Sequence, residues 1–196
     1  MRDLLTEEAA AEQARRCNLG RSINHGYKYA FLRSHAGTLV FDPISTTDYY
    51  GVSADAKCFR HSSPAPQEKC TCGFWSLVLR SHLGKSGTQS ELTQRRQRRA
   101  LILEVESSGA LIRGDWGLRA EHIEVYSATL PSMCWRCKTA AVGLIALSDG
   151  IMTPCCHKHG SEANQVVLPI ASIRRELQTQ VLWAETPKPE RKNRRT

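Results

Sequence analysis

The sequence predicts an α+β protein. A small β-rich domain stapled by zinc comes first, then a zinc-ribbon or treble-clef-like module, then a C-terminal helix. Three observations carry this expectation. Seven of the eight cysteines fall into two clusters with histidines beside them. Between residues 25 and 130, short apolar runs alternate with turn residues at the spacing of strands. Near the C-terminus, Ile170, Ile173, Leu177 and Val181 recur at helical spacing, with Arg174, Arg175 and Glu176 on the opposite face.

Residues 1–20 read as an N-terminal helix with Thr6 as cap and several alanines. Residues 27–32 and 38–42 read as two strands joined by a turn at Ala36-Gly37. A polar loop leads to Cys58, and Pro64 and Pro66 keep the following segment in a loop. Phe74 to Leu79 is apolar and strand-like. Residues 80–94 are polar and read as an exposed excursion. In 101–106, Leu101, Leu103 and Val105 share one face of a strand. Ala110 to Arg113 is a further short strand, followed by a turn at 114–117 and a strand near 123–126. These elements place the β-rich domain at 25–130 and the second zinc module at 131–165. A strand lies within that module at 140–147, followed by a turn at Ser148-Asp149-Gly150. The helix covers 166–184, its periodic part near 169–183, and a basic, disordered tail covers 185–196.

The metal assignment rests on ligand chemistry. Zinc takes four tetrahedral ligands from Cys and His, and paired ligands on tight turns supply them. Cys134-x2-Cys137 and Cys156-x2-His159 lie 18 residues apart and form one such set. Cys155 with His157 is the alternative register, and the matching x2 spacing favours Cys156 with His159. Cys58, His61, Cys70 and Cys72 form the other set, with a tighter C-x-C bite. Two structural Zn2+ ions are therefore expected, and no small-molecule cofactor. The competing reading is ordinary reduced thiols, with Cys70 and Cys72 straddling a strand start.

Catalytic readings are poorly supported. His122-x-Glu124 before Cys134-x2-Cys137 imitates the zinc deaminase pattern. Only 11 residues separate His122 from Cys134, too few for the helix–strand crossover that such a site needs. Cys17 has no histidine near it in sequence and reads as an inert thiol. No phosphate-binding glycine loop or nucleophile elbow is present.

The formal net charge is +8, and it is concentrated. Residues 80–100 carry a net +5 and the tail 184–196 a net +3. Arg95, Arg96, Arg98 and Arg99, with Arg191, Lys192, Arg194 and Arg195, are the candidate phosphate contacts. Solvated basic flanks are the plainer reading of any one such run. Trp75, Trp116, Trp135 and Trp183 are candidate base-stacking residues, Trp135 the best exposed by its place in a zinc knuckle. No apolar run reaches the roughly 20 residues of a membrane span, and the N-terminus lacks an apolar signal region. A cytoplasmic protein with reduced thiols is expected.

Cys58, His61, Cys70, Cys72 and Gly73, then Glu104, Val105 and Gly109, then Gly117, Arg119, Ala120 and Glu121 form a pattern of their own. It resembles an uncharacterised zinc-binding family of actinobacteria and their phages. The 134–159 module is similar to that family's zinc-ribbon-like extension, so the resemblance spans about 25–160. It implies a phage or mobile-element context and no particular reaction. Within the pattern, Arg119 has two readings: pairing with Glu121 or Glu104 to pin a turn, which is favoured, or binding an anion at a groove. The expected function is a nucleic-acid-binding accessory or regulatory protein. The rival is an adaptor or inhibitor docking on a host protein through its zinc module.

Overall fold

The computed structural model describes residues 24–44, 49–58, 60, 65–84 and 98–185. The expected N-terminal helix, His61, Arg95, Arg96 and the basic tail lie outside the described residues. What is described is β-rich, with nine strands, two short α-helices and a 3-10 helix at Arg80–Gly84.

The first hairpin pairs β1 (His25–His35) with β2 (Thr38–Pro43). Its two-residue turn has Ala36 at φ 49° and Gly37 at φ 82°, the left-handed pair that matches the twist of the flanking strands. The second hairpin is longer. β5 (Leu101–Arg113) and β6 (Gly117–Leu130) turn through 114–116, where Gly114 N–H donates to Gly117 O at 2.8 Å. The two short strands expected at 101–106 and 110–113 are thus one strand. Gly109, at φ +73°, carries the chain through the irregularity between them. A side chain there would place its Cβ 2.6 Å from Glu121 Oε2, which accepts the Ala110 N–H at 2.9 Å.

The ladder closes on itself. β5 pairs with both β1 and β6, and β4 (Phe74–Leu77) pairs with β6 and meets β1 at Tyr27↔Leu77. A bridge at Phe41↔Tyr50 links β2 to the segment entering β3 (Ser53–Asp55), which also lies along β6. Along one edge of β6, β4, β3 and β9 (Gln180–Trp183) follow in turn, the last of them parallel. The closure depends on bulges. The inward residues of β6 run Leu118, Ala120, then Ile123, Val125, then Ala128, Leu130. The parity slips twice, at the two register shifts of the β5–β6 ladder. Each extra residue bends the strand and increases its twist.

One apolar core fills this closed sheet and extends beyond it. Leu101, Leu103, Leu118, Ile123, Leu32 and Phe41 are each 1% exposed or less. The same cluster takes in Leu144 of β7 (Gly143–Ala146) and Met152 of β8 (Met152–Cys155). Ile173 and Leu177 complete it from a helix, α2 (Ile170–Leu177). That helix is shorter than the 166–184 expected. Gln178 adopts φ 52°, ψ 31° and ends it. Residues 180–183 then pair with β6, where Val181 is fully buried. Val181 has helical spacing from Leu177, but a β-branched side chain serves a strand better.

Candidate metal centres

The 134–159 segment folds around its own ligands. After β6, Cys134 opens a tight knuckle in which Cys134 N–H donates to Thr139 O at 2.7 Å and Lys138 N–H to Cys134 O at 3.1 Å. Lys138 takes a left-handed φ of 60°. The β7–β8 hairpin follows, fastened to the knuckle by Trp135 N–H to Pro154 O at 3.0 Å. Cys156 stands immediately before α1 (His157–Glu162), so the x2 spacing to His159 sends both side chains from the first turn toward the knuckle.

Cys134, Cys137, Cys156 and His159 thereby converge, with all four ligand atoms within 4.8 Å of one another. Cys137 Sγ lies 3.7 Å from Cys156 Sγ, and His159 Nδ1 lies 3.4 Å from both Cys134 Sγ and Cys156 Sγ. A tetrahedral zinc with Zn–S of about 2.3 Å and Zn–N of about 2.0 Å has S···S and S···N edges of about 3.8 and 3.5 Å. The observed spacings fit those edges. His159 Nε2 is 3.8 Å from Glu162 Oε2, a charge contact longer than a hydrogen bond.

The alternative register is excluded from this cluster. Cys155 is fully buried, and that burial, reinforced by the neighbouring Cys134 and Cys156 sulfurs, pushes its thiol up to about 11. Cys156 is held down at about 6, chiefly by the His159 backbone N–H, then by the Thr139 hydroxyl, with Cys137 and Cys134 adding to it against some desolvation. What decides the register is position: of the pair, only Cys156 brings its sulfur into the four-ligand cluster.

Cys58, Cys70 and Cys72 form the second cluster, also within 4.8 Å of one another, with Cys58 Sγ and Cys70 Sγ 3.8 Å apart. This again is a tetrahedral S···S edge. His61, the expected fourth ligand, lies outside the described residues. The loop is built for close packing. Gln67 N–H donates to Cys72 Sγ at 3.3 Å, and Cys70 N–H to Gln67 O at 3.1 Å. Gly73 turns the chain into β4 at φ +103°, and a Cβ there would lie 2.9 Å from Pro66 Cβ.

Arg119 locks this loop to the sheet. It is 7% exposed, and its Nη1 donates to the carbonyl oxygens of Cys70, Gln67 and Cys72, the last two at 3.2 Å. Its guanidinium lies 5.1 Å from the Trp75 ring centroid. The pinning role anticipated for Arg119 is present, but its partners are loop carbonyls. Glu121 serves the Gly109 bulge instead, and Glu104 takes His25 Nε2 at 2.6 Å and the Ser127 hydroxyl at 2.9 Å.

His122 has a place unconnected with either cluster. Its Nδ1 is 2.8 Å from Asp55 Oδ1 and its Nε2 3.3 Å from Ser53 Oγ. That is the atom order of a hydrolase relay, but the Asp55 side chain is 80% exposed on the sheet surface. Water competes with every charge interaction there, so we assign it no catalytic role.

Of the basic candidates, the described ones make internal contacts. Arg99 pairs with Asp149 at 2.5 Å with its side chain 13% exposed, and Arg98 Nη1 lies 3.5 Å from Trp135 O. The exposed tryptophans are Trp75 and Trp116, at 50% and 41%. Trp135, favoured from its knuckle position, is partly buried because Pro154 of β8 holds its backbone against the hairpin.

No protein-family model, curated protein or solved structure matches the chain. Fold and clusters together define a β-rich protein carrying two clusters fit for metal, one of three cysteines and a histidine and one of three cysteines. Among the described residues no helix is long and apolar enough to cross a membrane.

Proposed function

We propose that this chain is a zinc-stabilised nucleic-acid-binding accessory or regulatory protein, in the phage or mobile-element setting that its sequence pattern implies. Zn2+ would sit in Cys134, Cys137, Cys156 and His159, and in Cys58, Cys70 and Cys72 with His61 as fourth ligand. The module at 131–165 then reads as treble-clef-like: knuckle, hairpin and ligand-bearing helix. Closed four-ligand shells leave no position for a reacting water, so the metal's role here is structural. The observation that carries the reading is the net charge of +8, concentrated on polar segments outside a zinc-braced core. Such segments bind phosphates by counterion release. With Arg99 tied to Asp149, the contacts fall mainly to Arg95, Arg96, Arg98 and the tail residues Arg191, Lys192, Arg194 and Arg195.

The test is an electrophoretic mobility titration at two salt concentrations with mixed-sequence DNA and RNA. The account expects binding at low salt that weakens steeply as salt rises. No shift at low salt rejects it.

One observation favours the adaptor reading as a second possibility. Val142 is 38% exposed on the zinc module and Val166, just past it, is 81% exposed. Capture of a defined host enzyme after nuclease treatment, lost on substituting Val166 by Asp, is the result that reading requires.

A further inference from the structure

Among the described residues, Lys28 is the lysine that the sheet turns inward, while Lys57, Lys69, Lys138 and Lys158 are exposed. On β1 it lies directly opposite Leu103 of β5, and directly opposed residues share a face. Leu103 is fully buried in the core, and so are Ala30 and Leu32, the next residues on the same face of β1. The ring contacts agree with that register. Lys28 Nζ lies 5.1 Å from the Tyr50 ring centroid and 5.3 Å from that of Phe74. Tyr50 belongs to the core, and Phe74 packs against it.

No carboxylate pairs with this ammonium among the described residues. Asp42, whose charge reaches Tyr50, is taken up by Arg33 at 2.6 Å. Burial and Asp42 together push the Tyr50 phenol up, so it stays neutral. Ser76 lies opposite the buried Leu118 and so shares the core face. The hydroxyls of Ser76 and Tyr50 are both buried without a hydrogen-bond partner among the described residues. Three polar groups of one interior therefore lack a protein partner, which is what a small polar molecule would satisfy.

Desolvation penalises the charged form of an amine, and burial pushes Lys28 down to about 8. Near neutral pH a sizeable fraction of this amine is then unprotonated, while exposed lysines are almost wholly charged. An unprotonated lysine in apolar surroundings is a nucleophile. Part of the side chain stays exposed, which leaves an approach for a small molecule.

We propose that Lys28 is a nucleophilic amine that captures small uncharged aldehydes as an imine. Its nitrogen attacks the carbonyl carbon, a C=N bond replaces the C=O bond, and the carbonyl oxygen leaves as water with the two amine hydrogens. No oxidant or reductant is needed. The aldehyde is uncharged because the Tyr50 and Phe74 rings and Leu103 make the surroundings apolar, and a neutral imine suits them better than an ammonium does. This capture is independent of the nucleic-acid reading.

The experiment incubates the full, zinc-loaded chain with propionaldehyde and cyanoborohydride, which reduces each imine to a stable propylamine. Peptide mass mapping then reads the rate at every lysine. At about pH 7.5 Lys28 should label about tenfold faster than Lys57, Lys69, Lys138 and Lys158. That ratio should fall above about pH 8, because the exposed lysines go on gaining free amine after Lys28 has levelled off. In denaturant the advantage should vanish. Lys28→Met, with zinc content and circular dichroism unchanged, should lose the fast phase and leave the other lysines as they were. Labelling of Lys28 no faster than the exposed lysines, a ratio that does not fall with pH, or a preference that survives denaturant would overturn the proposal. Glyoxylate, a charged aldehyde, should show no such preference; faster capture of it than of propionaldehyde at Lys28 would refute the ligand class.

Discussion

Arg119 shows how much work one side chain does at the residue scale. A buried cation normally seeks a carboxylate, but this one is met by the oxygen ends of three peptide dipoles on the Gln67–Cys72 loop. Charged hydrogen bonds contribute about 1.5–3 kcal/mol, and the carbonyls left behind would be partly unpaired. Arg119→Ala should therefore cost about 2 kcal/mol or more in denaturant unfolding, and weaken metal retention at the first cluster more than at the second. Equal retention at both would show that the arginine does not organise the loop. The two adjacent thiols make a second test. Cys156→Ser should remove one metal equivalent by elemental analysis. Cys155→Ser should keep the metal and lose about 1–3 kcal/mol, because a hydroxyl would replace a fully buried thiol. At this scale the ligand types were legible, since x2 spacing on a knuckle and on a helix N-terminus brings two side chains to one point. The carbonyl partners of Arg119 and the burial of Trp135 were not, because both depend on strands distant in sequence.

Among the elements, the β7–β8 hairpin is the piece most visibly tied to the rest. Its turn residue Asp149 accepts Arg99 at 2.5 Å and the Ile151 N–H at 3.0 Å, while its carbonyl accepts Arg33. Ser34 N–H donates to Gly150 O at 3.0 Å. Burial opposes the Asp149 charge, but Arg99, the Ile151 amide and Arg33 together outweigh it and hold the carboxyl below its usual range. A depressed carboxyl stabilises the fold above the unfolded value, about 3.9, and that contribution fades as pH falls through the folded value. Asp149→Asn should thus be less stable than wild type by a constant amount, about 1 kcal/mol for a half-exposed pair, from neutral pH down to about pH 4. The gap should narrow in more acid solution, as followed by thermal melts across pH. A gap unchanged at low pH would assign the effect to the amide itself. Strand periodicity and turn residues made β1, β2, β4 and β7 readable in advance. The length of β5 was not readable, because the Gly109 bulge looks like a break, nor was that of β6, because its inward alternation slips at each register shift. The end of α2 was missed because Val181 keeps helical phase while belonging to a strand.

For the molecule as a whole, the continuous core joins the closed sheet to the β7–β8 hairpin and α2, so the 134–159 segment and the closed sheet support one another. The apolar core was only partly legible: alternation marks inward residues, but closure of the sheet depends on bulges that composition does not announce. Apparent zinc binding in small modules contributes about 10–16 kcal/mol, against a typical domain stability of about 5–15 kcal/mol. Metal loss should therefore unfold more than the loops that hold it. The most direct test is elemental analysis of the purified chain combined with thermal melting before and after a strong chelator. Two zinc equivalents per chain, with a large drop in melting temperature and loss of the folded circular dichroism signal on chelation, are the predicted results. A metal-free chain that melts at the same temperature with or without chelator would contradict the account.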